Sequence, residues 1–266
     1  MPESFEKATA LERVAENEHR YVLPDGWQQG RGAFGGLVLG TLMDAMASRE
    51  PDAARAARAF TGDLCGPALA QESRVVTRVL RRGNNQTNLA ATLEQGGAVV
   101  AHATCVLAAP RKVRPVPRFV LAPPVRAAYE VTEPAILPPS TTPVFTQHYE
   151  YRVDNGLPFR AGPEALVTGW IKERVPLTRV TAASLLGRLD AFWPAIFAVE
   201  ETPRPIATVS FLAEILCDPS TLDPAAPLYY RARVVAQAGG YFVEMRELWD
   251  GDAPVALNQQ SLALLG

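Results

Sequence analysis

Asp190, Thr208 and Gln260 are polar residues set in apolar stretches of the second half of the chain. They lie in "LLGRLDAFW", "PIATVSFLAE" and "PVALNQQSLALL". A carboxylate beside Leu186, Leu189 and Phe192 is costly to bury without partners. Set against water, it can take a proton. A threonine hydroxyl and a glutamine amide can hold that water and a substrate. This is equipment for general-base hydrolysis without histidine. A thioester suits it, because a thioester carbonyl is more electrophilic than that of an ester. Gly35 and Gly36 close the Gly-rich stretch "GWQQGRGAFGG". Their backbone N–H groups are candidates for polarising the carbonyl as an oxyanion hole. Phe192 and Trp193, with Phe197, are candidates for shaping the substrate tunnel.

These residues need elements to bring them together. Asp190 falls in a helix expected over Ala182–Phe197. Thr181 is its N-cap, and Pro194 kinks or ends it. Thr208 stands near the start of a strand at Ile206–Leu216, and Gln260 on the last strand, Val255–Leu264. Alternation sends Gln259 and Gln260 to opposite faces, so one of them looks inward. Strands are also expected at Val144–Val153, Glu164–Arg174, Leu228–Ala236 and Tyr241–Trp249. The first half repeats the pattern. A buried helix begins near Leu37 and stops before Pro51, followed by strands at Arg58–Leu64, Ser73–Arg81, Gln86–Glu94 and Ala98–Ala108. Turn signals "GNN" and "QGG" match "AGG" and "DGD" in the second half.

The chain therefore states one unit twice. "LCGP" (Leu64–Pro67) answers "LCDP" (Leu216–Pro219). A repeat on that scale signals a duplicated domain, not a solenoid. The units are expected at 20–110 and 144–266, joined over 111–143 by a connector. Nine prolines in Pro110–Pro143, among them Pro115, Pro117 and Pro139, exclude long helices and central strands there. Aligning the two motifs sets Asp44 opposite Asp190, Ala56 opposite Thr208 and Cys105 opposite Gln260. Only the second half keeps all three polar groups. Asp44 reads as structural.

With 266 residues, 48% of them hydrophobic, the chain can bury a large core or two fused ones. A net charge of −2 with no basic block argues against nucleic acid as a partner. No apolar run is long enough for a membrane span. The first twenty residues carry acids early and no apolar segment, so no secretory signal is expected. Three widely spaced cysteines give neither a disulfide framework nor a zinc pattern, which favours the cytoplasm. Cys65 and Cys217 have no histidine beside them in sequence and read as packing residues.

At these residues the chain resembles the acyl-CoA thioesterase II family of double-hotdog proteins. "AFGGLVLG" is similar to that family's first-helix opening and "AFTGDLCGP" to the strand that follows. "LLGRLDAFWPA" resembles the second helix, "IATVSF" the strand with the catalytic threonine and "VALNQQS" the last strand. Leu37 stands where the family often has glutamine, and Gly66 and Asp218 where it has arginine before proline. The resemblance implies an α+β fold: two tandem hotdog units, each an antiparallel sheet wrapped round a long central helix, joined edge to edge. It implies acyl-CoA hydrolysis with water activated by Asp190, Thr208 and Gln260, and no metal or organic cofactor.

Two rival readings stay open. One is a hydratase of acyl thioesters, which needs a well-placed histidine; none of His19, His102 and His148 falls on either expected helix. The other is a non-catalytic acyl-CoA or lipid-binding protein. Pairing of the whole chain into a homodimer is also open.

Overall fold

The computed structural model describes residues 1–114, 121–138, 140 and 142–265. Pro115, Pro117 and Pro139 of the expected connector lie outside the described residues, as does Gly266. The first half contains helix α1 (Phe5–Ala8), strands β1 (Glu12–Arg13) and β2 (Glu18–Val22), and a small hairpin of β3 (Gln28–Gln29) and β4 (Gly32–Ala33). Helix α2 (Gly35–Ala47) and strands β5 (Ala56–Leu64), β6 (Glu72–Arg82), β7 (Gln86–Gln95) and β8 (Ala98–Ala108) follow. The second half contains β9 (Tyr149–Asn155), β10 (Leu166–Glu173) and helix α3 (Ala182–Ala191). It ends with β11 (Ile206–Ile215), β12 (Leu228–Ala238), β13 (Tyr241–Asp250) and β14 (Ala253–Leu264).

Apart from the β3–β4 hairpin, the strands form one 12-stranded sheet in the order β1-β2-β6-β7-β8-β5-β11-β14-β13-β12-β10-β9. Each half supplies a contiguous run of six. The runs meet along β5 and β11, where Gly62 faces Phe211 and Ala59 faces Glu214. The halves thus join edge to edge, and each protects the other's open edge. Hairpins fix the register. Gly96–Gly97 and Gly239–Gly240 are two-residue turns with positive φ at both positions, the backbone that a right-twisted hairpin requires.

The two helices pack together on the inner face of the sheet. α2 is buried along nearly its whole length, from Gly35 to Met46, with Asp44 the partly exposed exception. α3 starts at a capping box between Thr181 and Ser184. Arg188, fully buried on α3, grips Glu173 of β10 with bonds of 2.6–3.0 Å. Phe5 fills the gap where the helices cross. A Cβ added at Gly40 would sit 2.7 Å from its ring, and one at Gly187 2.6 Å.

Several expectations need correction. The second helix ends at Ala191, not Phe197: Phe192 turns extended (φ −75, ψ 154) ahead of Pro194, and a 3₁₀ turn covers Ala195–Ala198. The helices are 13 and 10 residues long. The strand expected from Val144 begins at Tyr149, after a 3₁₀ turn at Val144–His148. Pro143 starts that turn, and its buried Phe145 stacks on Phe34 at 4.0 Å. The duplication is offset by one residue from the motif alignment at one site. Matching bulges at Ala57/Ala59 and Thr208/Ser210 make Phe60 the repeat counterpart of Phe211, Cys105 that of Gln260 and Ala57, not Ala56, that of Thr208. The sequence has one more residue between Phe211 and Leu216 than between Phe60 and Leu64.

Segments read only as polar sequence also have structure. α1 and β1 precede residue 20, and β2 spans it. In the connector, Pro134 bridges to Arg152 of β9. Arg126 lies over Trp170 and Tyr229 at 5.9 and 5.7 Å, which clamps the connector to the sheet.

Candidate active site

The C-terminal turn of α3 carries Asp190, and the last carbonyls of a helix need donors. Arg246 Nη1 donates to Leu189 O at 3.0 Å, and the Tyr151 hydroxyl to Ala191 O at 3.1 Å. The turn is thereby held, and Asp190 is aimed at the N-terminal end of α2. A Cβ added at Gly35 would lie 2.9 Å from Asp190 Oδ2 and 2.9 Å from Leu64 Cδ1. At Gly36 it would lie 3.0 Å from the Asp190 Cβ and 2.5 Å from the Phe34 ring. Glycine at both positions is a condition for this approach.

β14 places Gln260 beside the acid. Gln260 is fully buried and faces inward, whereas neighbouring Gln259 is exposed. Gln260 Nε2 donates to Asp190 Oδ1 at 2.9 Å. Its Oε1 lies 3.5 Å from the hydroxyl of Thr208 on β11, which donates to it. The structure therefore brings Asp190, Gln260 and Thr208 into one hydrogen-bonded chain. It draws on a helix and two neighbouring strands.

Burial pushes the Asp190 carboxyl above the usual aspartate range. The charge of Arg246, the Gln260 amide and the Gly36 N–H all oppose that rise. The end of α2 adds its positive pole to the same side. The result is a carboxylate with only 9% of its side chain exposed, but with a defined donor set. Such a group is a stronger base than a free aspartate.

The other expected site residues have distinct places. Gly36 directs its N–H at Asp190. Gly35 is the first residue of α2, where no intrahelical partner exists for its N–H. Phe192 is buried and stacks on Tyr230 at 4.4 Å, edge-on to Tyr151. Trp193 is partly buried and donates from Nε1 to Gly156 O at 2.9 Å. The three histidines lie elsewhere. His19 is buried on β2, and His102 Nδ1 lies 3.7 Å from Asp63. His148 stacks on Trp27 at 3.8 Å and accepts from Glu3 N.

Arg246 and Glu244 are the site residues that sequence reasoning missed. Arg246 Nη1 lies 3.2 Å from Asp190 Oδ1, and its Nε donates to Glu244 Oε1 at 2.8 Å. Glu244 Oε2 accepts from Ala195 N at 2.7 Å. A signal was present in "YFVEMRELW": alternation sets Glu244 and Arg246 on the same face as Phe242 and Leu248, all four buried.

In the first half, Asp44 accepts from Thr9 Oγ1 at 3.0 Å. Burial lifts its carboxyl to about 6, against the pull of Thr9 and Arg179.

With this geometry in place, comparison with known proteins gives a consistent result. The family model for the acyl-CoA thioesterase N-terminal domain matches residues 23–108, and that for the C-terminal domain matches residues 124–264. No curated protein matches the chain. Among solved structures, a conserved hotdog-fold protein of unknown function from Alicyclobacillus acidocaldarius is similar. It has a TM-score of 0.89, 24% identity and coverage of 100% of this chain and 99% of that one. A proposed thioesterase II from Thermobifida fusca has a TM-score of 0.85, 22% identity and 98% coverage of both chains. An acyl-CoA thioesterase II from Mycobacterium marinum has a TM-score of 0.76, 17% identity and 98% coverage of both. These likenesses show the hotdog fold, and the two domain models show that the chain holds it as a pair. Among the described residues, no helix is long and apolar enough to cross a membrane.

Proposed function

The chain belongs to the acyl-CoA thioesterase family, and from that premise we propose that it hydrolyses acyl-CoA thioesters at Asp190. The observation that carries this reading is the bond from Gln260 Nε2 to Asp190 Oδ1, with Thr208 on the far side of the amide. Asp190 takes a proton from water, and the water oxygen attacks the thioester carbonyl carbon. The C–S bond then breaks, and the proton held by Asp190 passes to the departing CoA sulfur. The products are a free acid and CoA. Gln260 fixes the carboxylate through its N–H, while its carbonyl and the Thr208 hydroxyl are positioned to hold the water. General-base assistance of this kind contributes about 10²–10⁴-fold. The Gly35 amide is the better oxyanion donor of the glycine pair, since the Gly36 N–H already serves Asp190. Phe192 and Trp193 bear on the acyl group from the aromatic layer beside α3. The site asks for no cofactor.

The acyl-thioester hydratase reading has no histidine at this acid, because all three are placed elsewhere. A cytoplasmic place in fatty acid metabolism fits the substrate. The test is thiol release from acetyl-, hexanoyl-, palmitoyl- and benzoyl-CoA by the wild type beside Asp190→Asn. Release that needs Asp190 supports the reading. No release from any of them, with thermal stabilisation by one, would identify a binding protein instead.

A further inference from the structure

We propose that Arg246, braced by Glu244, is a positioning residue that fixes and charges Asp190. The inference rests on the reading of Asp190 as the base. Arg246 makes three contacts that no apolar residue could replace: to Asp190 Oδ1, to Leu189 O and to Glu244 Oε1. Two of them hold the turn of α3 that carries the acid. The third is to a carboxylate that is itself fully buried and tied to Ala195 N. The guanidinium is thus locked from both sides, with 2% of its side chain exposed. A fixed cation at this distance and degree of burial acts strongly on its neighbour.

Asp190 faces other groups as well. Gln260 comes from β14, with Thr208 of β11 on the far side of its amide, and the Gly36 N–H from α2. Tyr149 and Tyr151 come from β9 and Tyr230 from β12, with Glu173 and Arg188 behind Tyr149 and Arg174 near Tyr151. Arg246 is the cation that bonds to the carboxylate directly, and Glu244 is the anion bonded to that cation. The two should therefore move Asp190 in opposite senses. Removing the cation makes the carboxylate harder to ionise. Removing the Glu244 charge leaves the cation uncompensated, so ionisation becomes easier.

The experiment follows the Asp190 side-chain carbon by ¹³C NMR across pH, assigned by its loss in Asp190→Asn. Arg246→Met alone leaves Glu244 unpaired and risks misfolding, so Arg246→Met is combined with Glu244→Gln. The titration midpoint should rise by about one pH unit or more in the double variant. It should fall in Glu244→Gln alone and hold in Arg246→Lys. The acid limb of kcat/KM should follow, with about tenfold lower rate per pH unit below it. Opposite shifts support the proposal, since general loosening of the fold would move both variants the same way. Midpoints that stay put, or move together, overturn it. Full thiol release by Asp190→Asn would instead overturn the base assignment, and the titration would still report on the Arg246 contact.

Discussion

Gln260 reaches Asp190 across 70 residues of sequence and donates a 2.9 Å hydrogen bond to its Oδ1. The contact exists because β14, paired between β11 and β13 in the sheet, brings Gln260 to the last turn of α3. A buried acid bonded in this way has one oxygen fixed by partners and the other, Oδ2, directed at the start of α2.

Asp190→Asn should lower thiol release by about 10²–10⁴-fold while the protein keeps its fold. The amide preserves the shape but takes no proton. Circular dichroism beside the rate checks both halves of the expectation. Because burial lifts the carboxyl, the wild-type acid limb should lie above the ordinary aspartate range, with activity lost as pH falls through it.

Thr208→Val and Gln260→Ala separate the two groups proposed to hold the water. The hydroxyl lies 3.5 Å from Gln260, at the limit of a hydrogen bond, whereas Gln260 holds Asp190 at 2.9 Å. Gln260→Ala should cost more in kcat than Thr208→Val, and Thr208→Ser should retain most activity. Equal loss in Thr208→Ser and Thr208→Val would show that the hydroxyl has no part.

Gly35→Ala should lower kcat more than it lowers stability. Its new methyl would stand 2.9 Å from Asp190 Oδ2, so the carboxylate must shift. Gly66→Ala meets nothing within 4 Å and serves as the neutral control. Steady-state kinetics and a melting curve on both variants decide the matter.

Asp44→Asn should leave activity unchanged and alter the pH dependence of stability. The folded-state value near 6 lies above the unfolded one of 3.8, so the folded protein binds the extra proton between them. Wild-type stability should therefore rise as pH falls through about 6 and level off below 3.8. The swing is at most about 3 kcal/mol, reduced by the solvent that reaches this partly buried group. The Asn variant should lack that component in denaturant titrations at pH 4.5 and 7.5.

Phe5→Ala should cost about 3–5 kcal/mol, because it empties the space between Gly40 and Gly187 at the helix crossing. A midpoint in urea close to the wild type would show that the crossing closes without this ring.

Much of this architecture was legible in the residues. Period-two alternation located most of the long strands, and paired glycines located the hairpins, because both are local demands of the backbone. The internal repeat showed which half keeps Asp, Thr and Gln together. Alternation also separated Gln260 from Gln259. What local pattern did not supply was the fate of residues whose partners are remote. Phe5 looks like an isolated aromatic in a polar leader until two glycines, one on each helix, make room for it. Val144–His148 has strand composition, yet Pro143 and the stack of Phe145 on Phe34 wind it into a turn.

Glu244 and Arg246 are the sharpest case. In sequence they are two charges that alternation sets on the face of Phe242 and Leu248, with no partner in view. Only the packing of β13 against the end of α3 gives them their partners. There burial makes each charge dependent on its neighbour, and the chain Glu244–Arg246–Asp190–Gln260 forms. The sequence alone determined the doubled unit and its hairpins, and it singled out Asp190 as the candidate acid. The tertiary structure decided what that acid touches, because its partners come from β13, β14 and the first turn of α2, and only folding places them within bonding distance.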